Sequence, residues 1–286
     1  MKIDQRCLSC IYDQSKRVCE LLNLSSEQSA CIEKIAKEHI AGFDMTSTPP
    51  HNAAPLYEAM AASLGMNDLY EVFKQESSQK AKAFIPLCQA HIESSTTPLF
   101  TATKTAVAGN VIDLAAVMLY DLEEELEKIY HTPFAIDDFE SLESTLSKTH
   151  TLVYLADNAG EEIFDKLYIQ TIKDLYPTIN VYYFVRGRPI INDLTYHDAL
   201  ASGMNDVATI IDSGVPTPGL ALEFMHEHAK TIFEQAECII AKGMGNYECL
   251  GDVAGLPLFF LFKVKCNVVA QAVNAPLGSI ICKKSL

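Results

Sequence analysis

At Asp157-Asn158 a carboxylate and a carboxamide stand side by side. They mark the point where an apolar run, Thr151 to Ala156, gives way to the helical spacing of Ile163, Phe164, Leu167, Tyr168, Thr171 and Ile172. Both side chains offer hard oxygen donors of the kind that Mg²⁺ or Mn²⁺ accepts. Similar polar groups follow the later apolar runs. "RGRPIIND" supplies Arg186, Arg188, Asn192 and Asp193, and Asp212-Ser213-Gly214 come next. "KGMGNYE" supplies Lys242, Asn246 and Glu248, and "KVKC" supplies Lys263 and Lys265. Oxygen donors for a dication, with a cation for an anionic oxygen, are the parts a phosphoryl site needs. On this reading Asp157, Asn158 and Asp193 hold the ion and Lys242 neutralises the phosphate. Asp157, Asp193 and Lys242 form the expected catalytic set, and Arg186, Asn246 and Glu248 are candidates for substrate contact.

Each of these residues also has a plainer reading. Asp157, Asn158 and Asp193 are of the types that cap helices, and a lysine ahead of two glycines is commonly a solvated loop residue. The weight lies in their coincidence at five strand ends, because ligands of open parallel sheets bind outside the carboxyl ends of the strands. Two carboxylates on one dication leave the site roughly neutral, so a phosphate still calls for Lys242. Helix first turns near Gly160 and Gly245 would add free backbone N–H groups. The eight histidines show no ligand spacing. Cys7-x-x-Cys10 is half of a zinc site at best, since no second close pair follows, and beside an N-terminal helix it reads as two buried small residues rather than a metal or redox pair.

These residues need a framework. Residues 1–148 read as successive helices, with apolar residues three and four apart, Ser25 or Ser26 placed to cap one helix and Gly65 to end another. From 149 to 286 short β-type runs ("TLVYLA", "NVYYFV", "VATIID", "CIIAKG", "LFFLFKV", "SIICK") alternate with helical stretches. Strands apolar on both faces, alternating with helices, predict a mostly parallel sheet covered on both sides. The expected architecture is therefore α/β, a helical N-terminal region packed on a Rossmann-like α/β/α sandwich.

Bulk composition narrows the function classes. Apolar residues make up 49% and charged residues 21%, a globular balance. A net charge of −15 leaves no cationic surplus for nucleic acid. No apolar run approaches the roughly 20 residues of a membrane span. Nine scattered cysteines suit reduced thiols, hence a cytoplasmic setting. Oligomeric state is left open.

Taken in order, "LADNAGEEIFD", "RGRPIINDLTYHDA", "AKGMGNYE" and "FLFKVKC" resemble the DUF89 proteins, the metal-dependent damage-control phosphatases. Cys7-x-x-Cys10 and "AGNVID" at 108–113 resemble the archaeal and bacterial branch of that family. The resemblance runs from Cys7 to about Gly278. It implies a helical region on an α/β/α sandwich, a divalent ion (Mn²⁺, Co²⁺, Ni²⁺ or Mg²⁺) and a small phosphorylated metabolite as substrate. It places Asp157, Asn158 and Asp193 on the metal, and Lys242 and Asn246 facing the phosphate. Asn110 and Asp113 match a helical element that closes over the cleft. The sequence departs from the family pattern at Leu69, Ser78 and Met244. An alternative reading of the same sheet is a nucleotide- or S-adenosylmethionine-binding transferase. Against it, "ADNAGEE" lacks the G-x-G-x-x-G spacing that lets backbone approach a pyrophosphate.

Overall fold

Seven strands pair into one sheet in the computed structural model, which describes residues 1–111 and 119–285. They are β1 (Ile136–Asp137), β2 (Thr151–Leu155), β3 (Asn180–Val185), β4 (Thr209–Asp212), β5 (Cys238–Lys242), β6 (Leu258–Lys263) and β7 (Ile280–Lys284). The order across the sheet is β1-β7-β6-β5-β2-β3-β4, and every pairing is parallel except β6 with β7. From β2 the chain moves outward to β3 and β4, then returns to lay β5 on the other side of β2. The crevice at the carboxyl ends of β2 and β5 is thus the topological switch point, where such sheets bind ligands.

Alternation along the strands explains why both faces are covered. Leu152, Tyr154, Ile240, Phe259 and Leu261 belong to one core cluster, and their neighbours Val153, Leu155, Ile239, Phe260 and Phe262 belong to the other. The first face is closed by α6 (Pro98–Val111) and α9 (Glu161–Leu175), through residues such as Ala102, Ala106, Phe164 and Tyr168. The second is closed by α11 (Glu227–Glu234), α12 (Gly243–Leu250) and α13 (Asn267–Val273), through Ala229, Leu250 and Val269.

The N-terminal half is helical, as its periodicity predicts. Helices α1 (Gln5–Leu21), α2 (Ser26–Ala41) and α3 (Pro49–Leu64) share a third cluster. A Ser25–Gln28 capping box opens α2, and Gly65 ends α3 in the left-handed conformation, φ 65°. Helices α4 (Glu71–Lys82), α5 (Ile85–Ser94), α7 (Leu119–His131) and α8 (Phe139–Leu146) continue the series, and α10 (Tyr196–Ala201) lies between β3 and β4. The cluster that includes Ala102, Ala106 and Leu142 also holds Leu152 and Tyr154, so this core is continuous across position 148. Strand β1 is a departure from the all-helical reading of that region. Its two residues pair with Ile281 and Cys282 at the sheet edge and are too few to show a period. Among the described residues no helix is long and apolar enough to cross a membrane.

Candidate active site

Two loops are stitched together at the switch point. The turn after β2 and the loop after β3 exchange backbone bonds: Leu194 N–H donates to Asp157 O at 2.9 Å, and Ala159 N–H donates to Asn192 O at 2.9 Å. Asn158 and Asp193 form a bridge pair within that stitching. The expected donors Asp157, Asn158 and Asp193 are thereby brought to one place, and all three line a cleft of about 670 Å³. Asn110 joins them from the last turn of α6. Its Nδ2 donates to Asp157 Oδ2 at 2.9 Å and to Glu161 Oε1 at 3.0 Å, while its Oδ1 accepts Lys263 N–H at 3.0 Å. Asn158 Nδ2 donates to the same two carboxylate oxygens, both at 3.0 Å.

Below this layer lies a buried ionic one. Lys242 Nζ donates to Glu161 Oε2 at 3.1 Å and to Asp165 Oδ1 at 2.7 Å, and Asp165 also accepts the hydroxyls of Tyr154 and Tyr183. Arg186 Nε donates to Asp193 Oδ2 at 2.7 Å, and its Nη2 reaches Asn246 Oδ1 at 3.3 Å. Asn246 Nδ2 donates to Ala156 O and Lys242 O, tying the ends of β2 and β5.

The expected roles therefore separate. Lys242, Arg186 and Asn246 are fully or almost fully buried and lie behind the cleft lining, where Lys242 and Arg186 hold the acids and Asn246 braces the strand ends. Glu248 lines the cleft, on the side of Cys7 and Cys10. Asp113 lies outside the described residues. The N-terminus of α9 is also spent, because Gly160 N–H is taken by the Glu162 carboxylate, which accepts Ser78 Oγ as well. Gly245, at the start of α12, does line the cleft. Cys7 and Cys10 are free thiols on its wall, joined there by Cys266.

Two participants escaped the sequence reading, and a third, Lys265, stands in it among the strand-end cations without a role. Glu161 and Asp165 sit at the first and second turns of α9, where an acid is an ordinary helix-dipole partner, and only the fold brings Lys242 between them. Lys265 lines the cleft with an exposed side chain, and its charge bears on both Asp157 and Glu161. The signal available for it was its place in "KVKC" at a strand end.

The electrostatics are unbalanced. Four carboxylates, Asp157, Glu161, Asp165 and Asp193, face two buried cations, Lys242 and Arg186. Burial pushes the Asp157 carboxyl well above its usual range, and the charges of Glu161 and Asp193 add to the effect. Burial also lifts Asp193 to about 6, against the pull of Arg186. For Glu161 burial is outweighed by Lys242, then Lys265 and the two amides, so its pKa falls. Lys242 is raised despite its desolvation, because Asp165 and Glu161 favour the ammonium.

The residues present fit a hard divalent cation. The outward donors are two carboxylates and the Asn158 carboxamide, which suits oxygen-loving ions. Among the described residues no group of three or more His, Cys, Asp or Glu side chains is arranged to hold an ion, so a donor set here would draw on the amide as well. A cradle is also built for Asp157. A Cβ on Gly243 would lie 1.9 Å from Asp157 Oδ2, and the φ of +79° there favours glycine.

The family model described as the damage-control phosphatase ARMT1-like domain matches residues 3–281. A damage-control phosphatase of Pyrococcus horikoshii is 29% identical over 291 residues, spanning 100% of this chain and 99% of the relative. A damage-control phosphatase of Archaeoglobus fulgidus is 30% identical over 292 residues, spanning 99% of each. The crystal structure of a DUF89 family protein from P. horikoshii superposes with a TM-score of 0.92 at 28% identity, covering 100% of both chains. With the match running almost end to end, the chain belongs to the DUF89 family of damage-control phosphatase ARMT1-like proteins.

Proposed function

We propose that this chain is a divalent-metal-dependent phosphomonoester hydrolase acting on small phosphorylated metabolites, sugar phosphates and related damaged phosphometabolites among them. The observation that carries the reading is the buried charge excess. Four carboxyl groups at the base of a cleft face only two buried cations, Lys242 and Arg186, so ionising all four leaves an excess of two negative charges that one dication would match. The names of the two curated relatives point the same way.

Asp157, Asn158 and Asp193 would hold the ion, with Mn²⁺, Co²⁺, Ni²⁺ or Mg²⁺ as candidates. When bound, such an ion polarises a phosphoryl oxygen and lowers the pKa of water. The chain's own residues do the rest. Arg186 fixes one oxygen of Asp193, Asn110 and Asn158 fix Asp157, and Lys265 offers its ammonium to the phosphate oxygens. Water is favoured over a carboxylate as nucleophile. Asp157 Oδ2 is occupied by two amide donors, and the paired D-x-D spacing of phospho-aspartate enzymes is absent from "ADNAG". The transferase alternative is disfavoured by Glu161 and Glu162, which place two buried carboxylates where a pyrophosphate would meet the α9 N-terminus.

The test is hydrolysis of an aryl phosphate with each metal, with and without chelator. Activity that needs added metal and disappears in Asp157→Asn supports the reading. Turnover untouched by chelator, or none with any metal, overturns it.

A further inference from the structure

Ile191 holds a backbone conformation that its own side chain opposes. Its φ is +47°, in the left-handed region, and branching at Cβ makes that region costly. Elsewhere among the described residues the chain gives positive φ to glycine, at eight places, or to asparagine, at Asn23 and Asn274. Those types reach the region with the least strain. Ile191 is the exception, and it stands two residues before Asp193. It sits inside a tight turn in which Asp193 N–H donates to Ile190 O at 3.1 Å. Glycine or asparagine is the usual choice for a positive φ in such a turn.

The turn is pinned on two sides. On one, Asn192 O accepts Ala159 N–H and Asp157 O accepts Leu194 N–H, both at 2.9 Å, which lays the turn against the loop carrying Asp157. On the other, Ile190 is only 4% exposed in the cluster of α1, α2 and α3, and the half-buried Ile191 packs against the same cluster. Ile191 lines the cleft and also a smaller hollow beside it, of about 280 Å³, lined by Tyr57 and Ala61 of α3. Strained backbone persists where its surroundings over-determine it. An apolar side chain seated on the helical cluster supplies that hold, and glycine or asparagine would bring no apolar contact to it. Rotation of Ile191 to negative φ would redirect the chain at Asn192 and break its bond to Ala159.

We infer that Ile191 is a positioning residue: its side chain, seated on the α1–α3 cluster, holds the strained turn that sets Asp193 beside Asp157. The cluster thereby acts on the two carboxylates through the backbone of one loop. The consequence for ion binding rests on the metal-dependent reading above, because donors already set in place bind without having to be ordered first.

The experiment compares the wild type with Ile191→Gly, Ile191→Asn and Ile191→Val. Glycine and asparagine tolerate the turn but give up the seat, whereas valine keeps the branch and most of the apolar contact. In the metal-free protein, amide exchange followed by NMR should be roughly tenfold or more faster at Ala159 and Leu194 in the glycine and asparagine variants. The valine variant should stay within about twofold of wild type. Thermal midpoints should remain within about 4 °C of wild type, since relief of strain offsets the lost contact. Titration calorimetry should show Mn²⁺ binding weakened roughly tenfold in the glycine and asparagine variants and preserved with valine, as expected for a residue that orients ligands. Either of the two weakened variants suffices if the other fails to fold. Faster exchange at Ala159 in a protein whose wild type binds no Mn²⁺ supports the positioning role and counts against the metal-dependent reading alone. Wild-type exchange in a folded glycine or asparagine variant, or measurable Mn²⁺ binding that such a variant keeps undiminished, overturns the assignment and leaves the metal-dependent reading standing. A valine variant loosened as much as the other two, or midpoints lowered by about 10 °C or more in both of them, would make Ile191 an ordinary packing residue and overturn it equally.

Discussion

Gly243 lies so close to Asp157 that an ideal β-carbon on the glycine would sit 1.9 Å from Asp157 Oδ2. The carboxylate thus occupies space that any other residue type would claim, and β5 hands its chain to α12 through a backbone conformation that favours glycine. Gly243→Ala should displace Asp157 and lower activity by at least about 100-fold, as small misplacements of reacting groups do. Steady-state kinetics check the first effect. Urea titration should also show a loss of stability of about 1–3 kcal/mol from the forced backbone and packing shift.

Lys242 and Lys265 should behave as opposites. Lys242 is sealed between Glu161 and Asp165, so Lys242→Met leaves two buried acids without their cation and should cost about 3–5 kcal/mol in a urea unfolding measurement.

Lys265 is exposed at the cleft and its removal strands no buried charge. Lys265→Ala should shift stability by no more than about 0.5 kcal/mol. It should raise the Ki for inorganic phosphate roughly tenfold, as expected for loss of a charge-assisted contact. Competitive inhibition in the aryl phosphate assay reads this directly, and an unchanged Ki would show that the ammonium does not meet the phosphate.

Metal affinity should depend on pH with a definite sign. Burial lifts Asp193 to about 6 and raises Asp157 well above the usual carboxylate range, yet each must be ionised to bind a cation. Calorimetric Mn²⁺ affinity should weaken as the pH falls through about 6, by roughly tenfold per unit for each carboxyl that takes up a proton. The metal-free protein should show the reverse trend in stability. Between the ordinary value of 3.8 and about 6 the folded chain holds a proton on Asp193 that the unfolded chain has lost. Stability from this group is therefore fully present below that window and declines as the pH rises through it. Thermal melts from pH 4 to 7, with and without Mn²⁺, compare the two.

The strand ends were readable because a polar group following a buried apolar run is a local signal. Asp157, Asn158, Asp193, Lys242 and Asn246 all stand out as candidates in that way, and the family motifs single out Asn110. What a single sequence does not display is which side of the lining each residue occupies. Lys242 and Asp157 both end a strand, yet one is sealed beneath α9 and the other opens onto the cleft, a difference set by how the α6 and α9 helices pack. Glu161 and Asp165 read as surface acids of an amphipathic helix until Lys242 is placed between them. Strand β1 escaped because two residues carry no period.

The central claim is that Asp157 and Asp193, on loops following different strands, share one dication. Titration of Mn²⁺ into the wild-type chain and into Asp157→Asn and Asp193→Asn tests it most directly, with circular dichroism confirming that each variant is folded. The account predicts one ion per wild-type chain and affinity weakened by roughly 100-fold or more in each variant alone, as expected when a ligand of a small oxygen-donor set is lost. Binding that persists undiminished in either folded variant would contradict it.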